Sequence, residues 1–203
     1  NSYSHIMKGQ FSPRLIAFEL TGRCNLQCKH CRASAAKEMD PDELNTLEVK
    51  NVIDNIALFF KPILILTGGE PLLREDIFEI VEHATKKGLR VVLGTNGTLL
   101  NNKVAEKLTK AGVKRVSISI DCAFAEDHDE FRGVEGAYND SLKGINACKK
   151  AGLEFQINTT VTRHNFHDLK KINSQTKELG AAAHHIFLLV PTGRGKGIAE
   201  EEI

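Results

Sequence analysis

The stretch "KKGLRVVL" occupies Lys86–Leu93, and two further stretches share its pattern: "KAGVKRVSI" at Lys110–Ile118 and "KAGLEFQI" at Lys150–Ile157. Each has lysine where a helix would end, then a glycine suited to the left-handed position after a helix, and then a β-forming run. The pattern therefore predicts helix, turn and strand in that order, three times along the chain.

Six short apolar runs predict six strands: "LIAFEL", "ILIL", "RVVLGT", "RVSISI", "EFQINTTV" and "HIFLLV". Nearly continuous apolar runs are typical of parallel strands covered by helices, and the alternation of strand and helix indicates an α/β fold with right-handed crossovers. A complete barrel of this kind has eight strands. We therefore expect either an open, partial parallel β/α barrel of about six βα units or a doubly wound sheet.

Polar residues follow the predicted strands at the points where the strands end. The segments are "TGRC", "TGGEP", "TNGT", "SID", "TR" and "PTGRG", in chain order. Because the carboxyl ends of parallel strands meet at one edge of a sheet, these loops should converge on one rim. The sequence therefore predicts a ligand site at that rim.

Three cysteines, Cys24, Cys28 and Cys31, lie in the first of these loops, within "TGRCNLQCKHC". A structural zinc site normally has a fourth Cys or His in a paired spacing, and a closed iron–sulfur cluster also needs four ligands. Three thiolates on a four-iron cluster leave one iron open to a substrate or cofactor. The count of three cysteines therefore favours a cluster with one open iron. A zinc site and an iron–sulfur site that only carries electrons are the alternatives.

The composition of the chain indicates which partners and which cellular location to expect. Lys plus Arg (27) nearly equals Asp plus Glu (26), and 41% of residues are hydrophobic, which is typical of a soluble globular chain and argues against nucleic acid as a partner. No apolar run is long enough to span a membrane and the first residues do not form a signal peptide, so we expect a cytoplasmic protein with no membrane partner. We expect one core domain over residues 13–197, an N-terminal flank over 1–12, and over 198–203 the start of a truncated C-terminal region.

The C-x3-C-x2-C spacing of the cysteines and "TGGEP" at Thr67–Pro71 resemble the radical S-adenosylmethionine enzymes. The resemblance covers nearly all of the chain from Pro13 to Gly197. It implies an open β/α barrel, a [4Fe-4S] cluster and S-adenosylmethionine as cofactors. Taken alone, the motif would be better explained by a tight turn at the two glycines and by Glu70 as a carboxylate at a helix start.

The resemblance also implies roles for individual residues. Cys24, Cys28 and Cys31 would bind the cluster, whose open iron would take the amino and carboxylate groups of S-adenosylmethionine. Gly68, Gly69 and Glu70 would meet the methionine amino group, with Glu70 as a negative charge for it. Candidates for the ribose or the methionine carboxylate are Thr95, Ser119, Asp121, Asn158 and Arg163, and backbone near Leu189 and Val190 would flank the adenine. Arg163 could instead pair with a surface acid.

In the implied reaction, a reductant such as flavodoxin or ferredoxin supplies one electron. S-Adenosylmethionine is then cleaved to methionine and a 5′-deoxyadenosyl radical, which removes hydrogen from the substrate. The cofactors supply this chemistry, and the protein positions them and excludes water.

Two stretches, "PRLIAFELTGRCNLQCKHCRASA" and "FLLVPTGRGK", are most similar to the branch of the family that matures haem and peptides. That branch carries a C-terminal cysteine-rich (SPASM-type) extension. Within it, the decarboxylases of the alternative haem pathway and the haem d1 maturation enzymes are the nearest resemblance, which implies a tetrapyrrole substrate and decarboxylation of porphyrin propionates. The alternatives are a SPASM-type maturase with a peptide substrate and, in another class, a non-catalytic iron–sulfur electron carrier.

Overall fold

The sheet is built from six parallel strands, in a computed structural model that describes residues 12–203. The strands lie in the order in which they occur along the chain, and each pairs with the next in parallel register. They are Leu15–Glu19 (β1), Ile63–Thr67 (β2), Arg90–Thr95 (β3), Arg115–Ser119 (β4), Phe155–Val161 (β5) and His184–Leu188 (β6). A doubly wound sheet reverses its strand order, so the sequential order confirms the predicted open, partial β/α barrel and excludes the alternative.

The described residues form six α-helices in the connections between the strands. One helix follows each of β1, β2, β3 and β5, whereas two follow β4. They are Thr46–Phe59 (α1), Ile77–Lys86 (α2), Asn102–Ala111 (α3), Ala125–Arg132 (α4), Ala137–Lys150 (α5) and Leu169–Leu179 (α6). Further 3₁₀ helices span Pro71–Leu73, Phe166–Asp168 and Gly193–Glu201. Each connection returns the chain to the same end of the sheet, so all the strands end at one rim.

The helix–turn–strand pattern forms as predicted. Helix α3 begins after Asn101, whose side chain accepts a hydrogen bond from the Val104 backbone N–H, and it ends at Gly112 in the left-handed conformation (φ 104°). Gly88 and Gly152 also have positive φ, at 79° and 63°. Glycine adopts this conformation without a Cβ penalty, so the three glycines let each helix turn directly into the next strand.

The strands divide apolar and polar side chains between their two faces. In β4, Val116 and Ile118 belong to the core between sheet and helices, while Ser117 and Ser119 line a cavity on the inner side. In β5, Ile157 lies in the core and Asn158 lines the cavity. Because side chains alternate along a strand, the core and the cavity are built from the same short segments.

The predicted N-terminal flank, residues 1–12, lies outside the described residues except for Ser12. The predicted boundary at residue 198 falls inside the last 3₁₀ helix, Gly193–Glu201, at Ile198, where the backbone is not helical (φ −131°, ψ 35°). The division into flank, core and C-terminal region therefore stays a prediction. No helix among residues 12–203 is both long and apolar enough to cross a membrane.

Candidate active site

A cavity of about 380 Å³ opens at the rim where the six strands end. Every strand or the loop after it contributes to its wall, as the polar strand ends predict. The side chains and backbone that line it come from Cys24, Cys28, His30, Cys31, Arg32, Ala35, Thr67, Gly68, Gly69, Gly94, Thr95, Asn96, Ser117, Ser119, Arg132, Asn158, Thr160, Phe187, Leu188, Leu189, Val190 and Arg194. The three cysteines therefore share one space with groups from all the other strands.

Residues 21–36, here called the cysteine loop, have little regular structure and depend on neighbouring segments for their backbone hydrogen bonds. The Gln27 and Lys29 N–H groups donate to the carbonyls of Arg132 and Phe131, at 3.0 and 2.9 Å. The Cys24 N–H donates to the Ala36 carbonyl at 2.7 Å, which closes the loop on itself. The positions of the cysteines are therefore set by contacts with α4 and across the loop.

Each of the three sulfur atoms has a hydrogen-bond donor. The Leu26 N–H lies 3.4 Å from Cys24 Sγ, the Ala35 N–H lies 3.4 Å from Cys31 Sγ, and Arg132 Nη1 lies 3.6 Å from Cys28 Sγ. Burial raises the pKa of the Cys24 thiol, and hydrogen bonds from Leu26 and Asn96 oppose that rise. Donors of this kind favour the thiolate, which is the form that binds iron.

The donor set suits a multi-iron cluster better than a single ion. The three cysteines have free thiols, and they line the same cavity. Across residues 12–203, no three His, Cys, Asp or Glu side chains are arranged to hold one metal ion. Three thiols around a cavity, each with its own donor, fit a group larger than one ion that accepts hydrogen bonds at its thiolate ligands.

Gly68 and Gly69 bring the loop after β2 against the cysteine loop. The Gly69 N–H donates to the Thr21 carbonyl at 2.7 Å, and the Glu70 N–H donates to the Arg23 carbonyl at 2.6 Å. A Cβ on Gly69 would overlap the Arg23 carbonyl oxygen, and one on Gly68 would overlap that of Thr21. Glycine is therefore required here for close approach, and it also leaves backbone open to the cavity.

The Glu70 side chain lies behind the cavity wall and does not line the cavity. Its side chain is fully buried and accepts hydrogen bonds from Thr95 Oγ1 (2.7 and 2.8 Å), the Asn96 N–H (2.8 Å) and the Leu72 N–H (3.1 Å). Burial raises its pKa to about 7, and these hydrogen bonds oppose the rise. Glu70 therefore joins the loops after β2 and β3 and caps the 3₁₀ helix Pro71–Leu73. Its predicted contact with the methionine amino group stays a prediction.

Asp121 also lies away from the cavity. It is fully buried, its Oδ1 accepts a hydrogen bond from the Thr160 N–H at 2.8 Å, and its Oδ2 lies 2.5 Å from Arg132 Nη2 in an ion pair without a well-aligned hydrogen bond. Burial disfavours the charge, yet Arg132, His30 and His128 hold the pKa of Asp121 below its usual value. Asp121 therefore balances the charge of Arg132, and its predicted contact with the ribose or the methionine carboxylate stays a prediction.

Arg163 is exposed, and its side chain turns away from the cavity. Its Nε donates to the Glu202 carbonyl at 2.8 Å, so it binds the C-terminal segment, and within residues 12–203 it forms no ion pair with a surface acid. Its predicted contact with the cofactor stays a prediction. In contrast, the cavity wall does contain other predicted contacts: Gly68, Gly69, Thr95, Ser119, Asn158, Leu189 and Val190. Their contact with a cofactor stays a prediction.

Several cavity residues were not anticipated from the sequence. Ser117 and Thr160 lie two positions from the predicted Ser119 and Asn158, so strand alternation could have found them. Arg132 and Arg194 come from α4 and from the loop after β6. No local pattern places these two arginines, because each approaches the cysteine loop from more than 100 residues away in sequence.

Residues 18–174, more than half of the chain, match the Radical SAM superfamily. This chain belongs to that family. Members use a [4Fe-4S] cluster and S-adenosylmethionine, so these are its cofactors and it is an enzyme of the radical SAM type. The match confirms the resemblance carried by the three cysteines and "TGGEP".

Two curated relatives are named AdoMet-dependent heme synthase. The protein from Methanosarcina barkeri is 55% identical over 184 residues, which is 91% of this chain and 53% of the relative. The protein from Oleidesulfovibrio alaskensis is 54% identical over 190 residues, which is 94% of this chain and 49% of the relative. The chain therefore spans about half the length of the curated relatives it matches.

The fold is similar to that of a solved structure from Streptococcus suis. The crystal structure of Streptococcus suis SuiB bound to precursor peptide SuiA gives a TM-score of 0.78 at 16% identity, covering 89% of this chain and 40% of SuiB. At that identity the likeness concerns the fold alone, and it agrees with the open half-barrel of six parallel strands.

Proposed function

We propose that this chain forms the cofactor-binding core of an enzyme that decarboxylates propionate side chains of an iron porphyrin in haem synthesis. The observation that carries the proposal is the arrangement of Cys24, Cys28 and Cys31 on one cavity with polar groups from the other strand ends. The relatives that are 54–55% identical and named for haem synthesis support the choice of substrate.

In this proposal the three cysteines hold the cluster and leave one iron open for the methionine end of S-adenosylmethionine. The cluster and S-adenosylmethionine, when bound, supply the radical that removes hydrogen from the substrate. Backbone of Gly68 and Gly69 meets the methionine amino group. Side chains at the ends of β3, β4 and β5 bind the ribose or the carboxylate, and backbone at the end of β6 flanks the adenine; these residues are Thr95, Ser119, Asn158, Leu189 and Val190.

The charge of the cavity wall supports an anionic occupant. Among the described residues that line it, none is Asp or Glu, whereas Arg32, Arg132 and Arg194 all contribute. Arginine is the side chain best suited to carboxylates. Arg132 is paired with the buried Asp121 and Arg32 with Glu19, whereas Arg194 has no carboxylate partner among residues 12–203. The charge of Arg194 would stabilise an S-adenosylmethionine carboxylate, a thiolate-bound cluster or a propionate.

The proposed setting is the cytoplasm, with flavodoxin or ferredoxin as the electron donor. A reducing compartment keeps cysteines available to iron, and five free cysteines in this chain agree with that setting. The thiols that bind iron would otherwise be open to oxidation.

The test is anaerobic reconstitution with iron and sulfide, followed by dithionite, S-adenosylmethionine and an iron porphyrin that carries propionates. We expect 5′-deoxyadenosine in the wild type, about a background level in Cys28→Ala, and wild-type levels in Cys148→Ala. Cys148 is the matched control, because it is buried in the core on α5 and does not line the cavity. Release of carbon dioxide in step with 5′-deoxyadenosine would support the porphyrin as substrate.

Two other results would overturn parts of the proposal. A stable cluster with no cleavage of S-adenosylmethionine would favour the electron carrier. Cleavage without loss of carbon dioxide from the porphyrin, but with modification of a peptide, would favour the SPASM-type maturase.

A further inference from the structure

The loop after β6 lies directly on the cysteine loop, and one residue makes the contact. The Arg194 backbone N–H donates to the Cys31 carbonyl at 2.9 Å. Its side chain donates from Nε to the Cys28 carbonyl at 3.0 Å and from Nη1 to the Ala35 carbonyl at 2.5 Å. Arg194 therefore binds three carbonyl oxygens of the cysteine loop, two of which belong to cysteines.

Gly193 makes this close approach sterically feasible. It has a positive φ of 55°, and a Cβ at this position would overlap the carbonyl oxygens of Arg32 and Cys31. Any other residue would push the two loops apart. The pair Gly193–Arg194 is thus shaped for the cysteine loop by both its backbone and its side chain.

The chemistry of the contact suits a positioning role. Within the cysteine loop, the Cys28 and Cys31 carbonyls accept hydrogen bonds from the Cys31 and Ser34 N–H groups at 3.2 and 3.3 Å, and Arg194 adds a shorter one to each. A guanidinium presents its donors in a rigid planar fork, so a single arginine can fix several carbonyls relative to one another. Its positive charge lies beside the cavity, where thiolate ligands would add negative charge.

We propose that Arg194 is a positioning residue for the iron–sulfur cluster. From across the mouth of the barrel, its hydrogen bonds fix the distance between Cys28 and Cys31. The proposal rests on the proposed assignment of the three cysteines as cluster ligands. Arg194 lies outside residues 18–174, the part of the chain that matches the family. Formation of the site would therefore depend on a segment beyond that part.

The experiment compares Arg194→Gln and Arg194→Lys with Lys196→Gln in the reconstituted protein. Lys196 is the matched control, because it is an exposed cation in the same segment and its side chain makes no hydrogen bond within residues 12–203. Two readouts are measured in each variant: the rate at which a chelator removes iron, and the change in the electron paramagnetic resonance spectrum of the reduced cluster when S-adenosylmethionine is added. Far-UV circular dichroism checks that each variant is folded.

We expect Arg194→Gln to lose iron about tenfold faster than the wild type, since one charged hydrogen bond corresponds to about that factor. We also expect a smaller spectral change with S-adenosylmethionine, because the open iron is then displaced. In both readouts Arg194→Lys should give values between those of the wild type and Arg194→Gln, because lysine keeps the positive charge but lacks the planar guanidinium. Lys196→Gln should match the wild type.

Wild-type kinetics and spectra in Arg194→Gln would overturn the proposal. If that variant does not fold, the test rests on Arg194→Lys. Wild-type iron loss and spectra in Arg194→Lys would show that the planar guanidinium is not needed, and would overturn the proposal. Cys28→Ala tests the underlying assignment separately: if it keeps a cluster that responds to S-adenosylmethionine, the ligand assignment fails, whatever Arg194 does.

Discussion

At the scale of single residues, His128 couples folding to pH. It is almost completely buried, its Nδ1 accepts a hydrogen bond from the Asp121 N–H at 3.2 Å, and its ring meets the edge of Tyr138. Burial, assisted by the charge of Arg132, lowers the pKa of His128 to about 4. The neutral ring is the form that accepts this hydrogen bond, so the folded state resists its protonation.

The consequence is a loss of stability in acid. Between pH 6.5 and about pH 4 the unfolded state binds a proton that folded His128 does not, so unfolding is favoured as pH falls. We expect His128 to contribute a loss of about 2 kcal/mol between pH 7 and pH 5. His128→Asn supplies an amide oxygen near the position of Nδ1 and cannot titrate. Between pH 7 and pH 5, the variant should therefore lose about 2 kcal/mol less of its free energy of unfolding than the wild type loses. Denaturant titrations of the iron-free protein at both pH values measure the difference, and equal pH dependence in the two proteins would contradict it.

At the scale of elements, the loop after β2 and the cysteine loop form one unit held together at Gly69. Because a Cβ on Gly69 would overlap the Arg23 carbonyl oxygen, Gly69→Ala must separate the two loops. Overpacking of this kind costs about 1–3 kcal/mol of stability. The separation also moves the backbone that carries Cys24, so we expect reconstituted Gly69→Ala to bind less iron than the wild type as well as to melt at a lower temperature.

Gly22→Ala is the control for that prediction. Gly22 lies in the same cysteine loop, but a Cβ there would have nothing within 4 Å, and its φ is not positive. Thermal melting and iron content, measured side by side, should therefore remain close to wild type in Gly22→Ala. Similar losses in both variants would mean that the loop is intolerant of any side chain, and the close approach at Gly69 would no longer explain the effect.

The elements were predictable from the sequence to a greater extent than the site. Gly88, Gly112 and Gly152 mark the helix–strand turns by local chemistry, so the repeated unit could be found without any tertiary information. The direction of a side chain just past a strand end depends on the turn that follows. Asp121 and Arg163 occupy predicted strand ends, yet one turns to Arg132 and the other to Glu202.

At the scale of the whole molecule, β6 is an edge strand of the sheet that residues 12–203 form. Within those residues it pairs with β5 alone, and apolar side chains on it are exposed: Ile186 by 44% and Leu188 by 61%. An exposed apolar edge strand is a template for pairing with another chain. Closing a full barrel would remove this edge, and six strands do not close it.

We therefore expect this chain to self-associate reversibly as its concentration rises, through the edge of β6. Ile186→Lys should weaken the association, because a charge on an edge strand opposes pairing with a second edge. Ile186 is suited to the test, since it does not line the cavity.

Leu58→Lys is the control: Leu58 is an apolar residue on α1 that is 73% exposed and lies on no sheet edge. Sedimentation velocity over a range of concentrations should show weaker association for Ile186→Lys alone. An equal effect of both variants would point to general surface hydrophobicity, in which case the open edge of the half-barrel is not the contact.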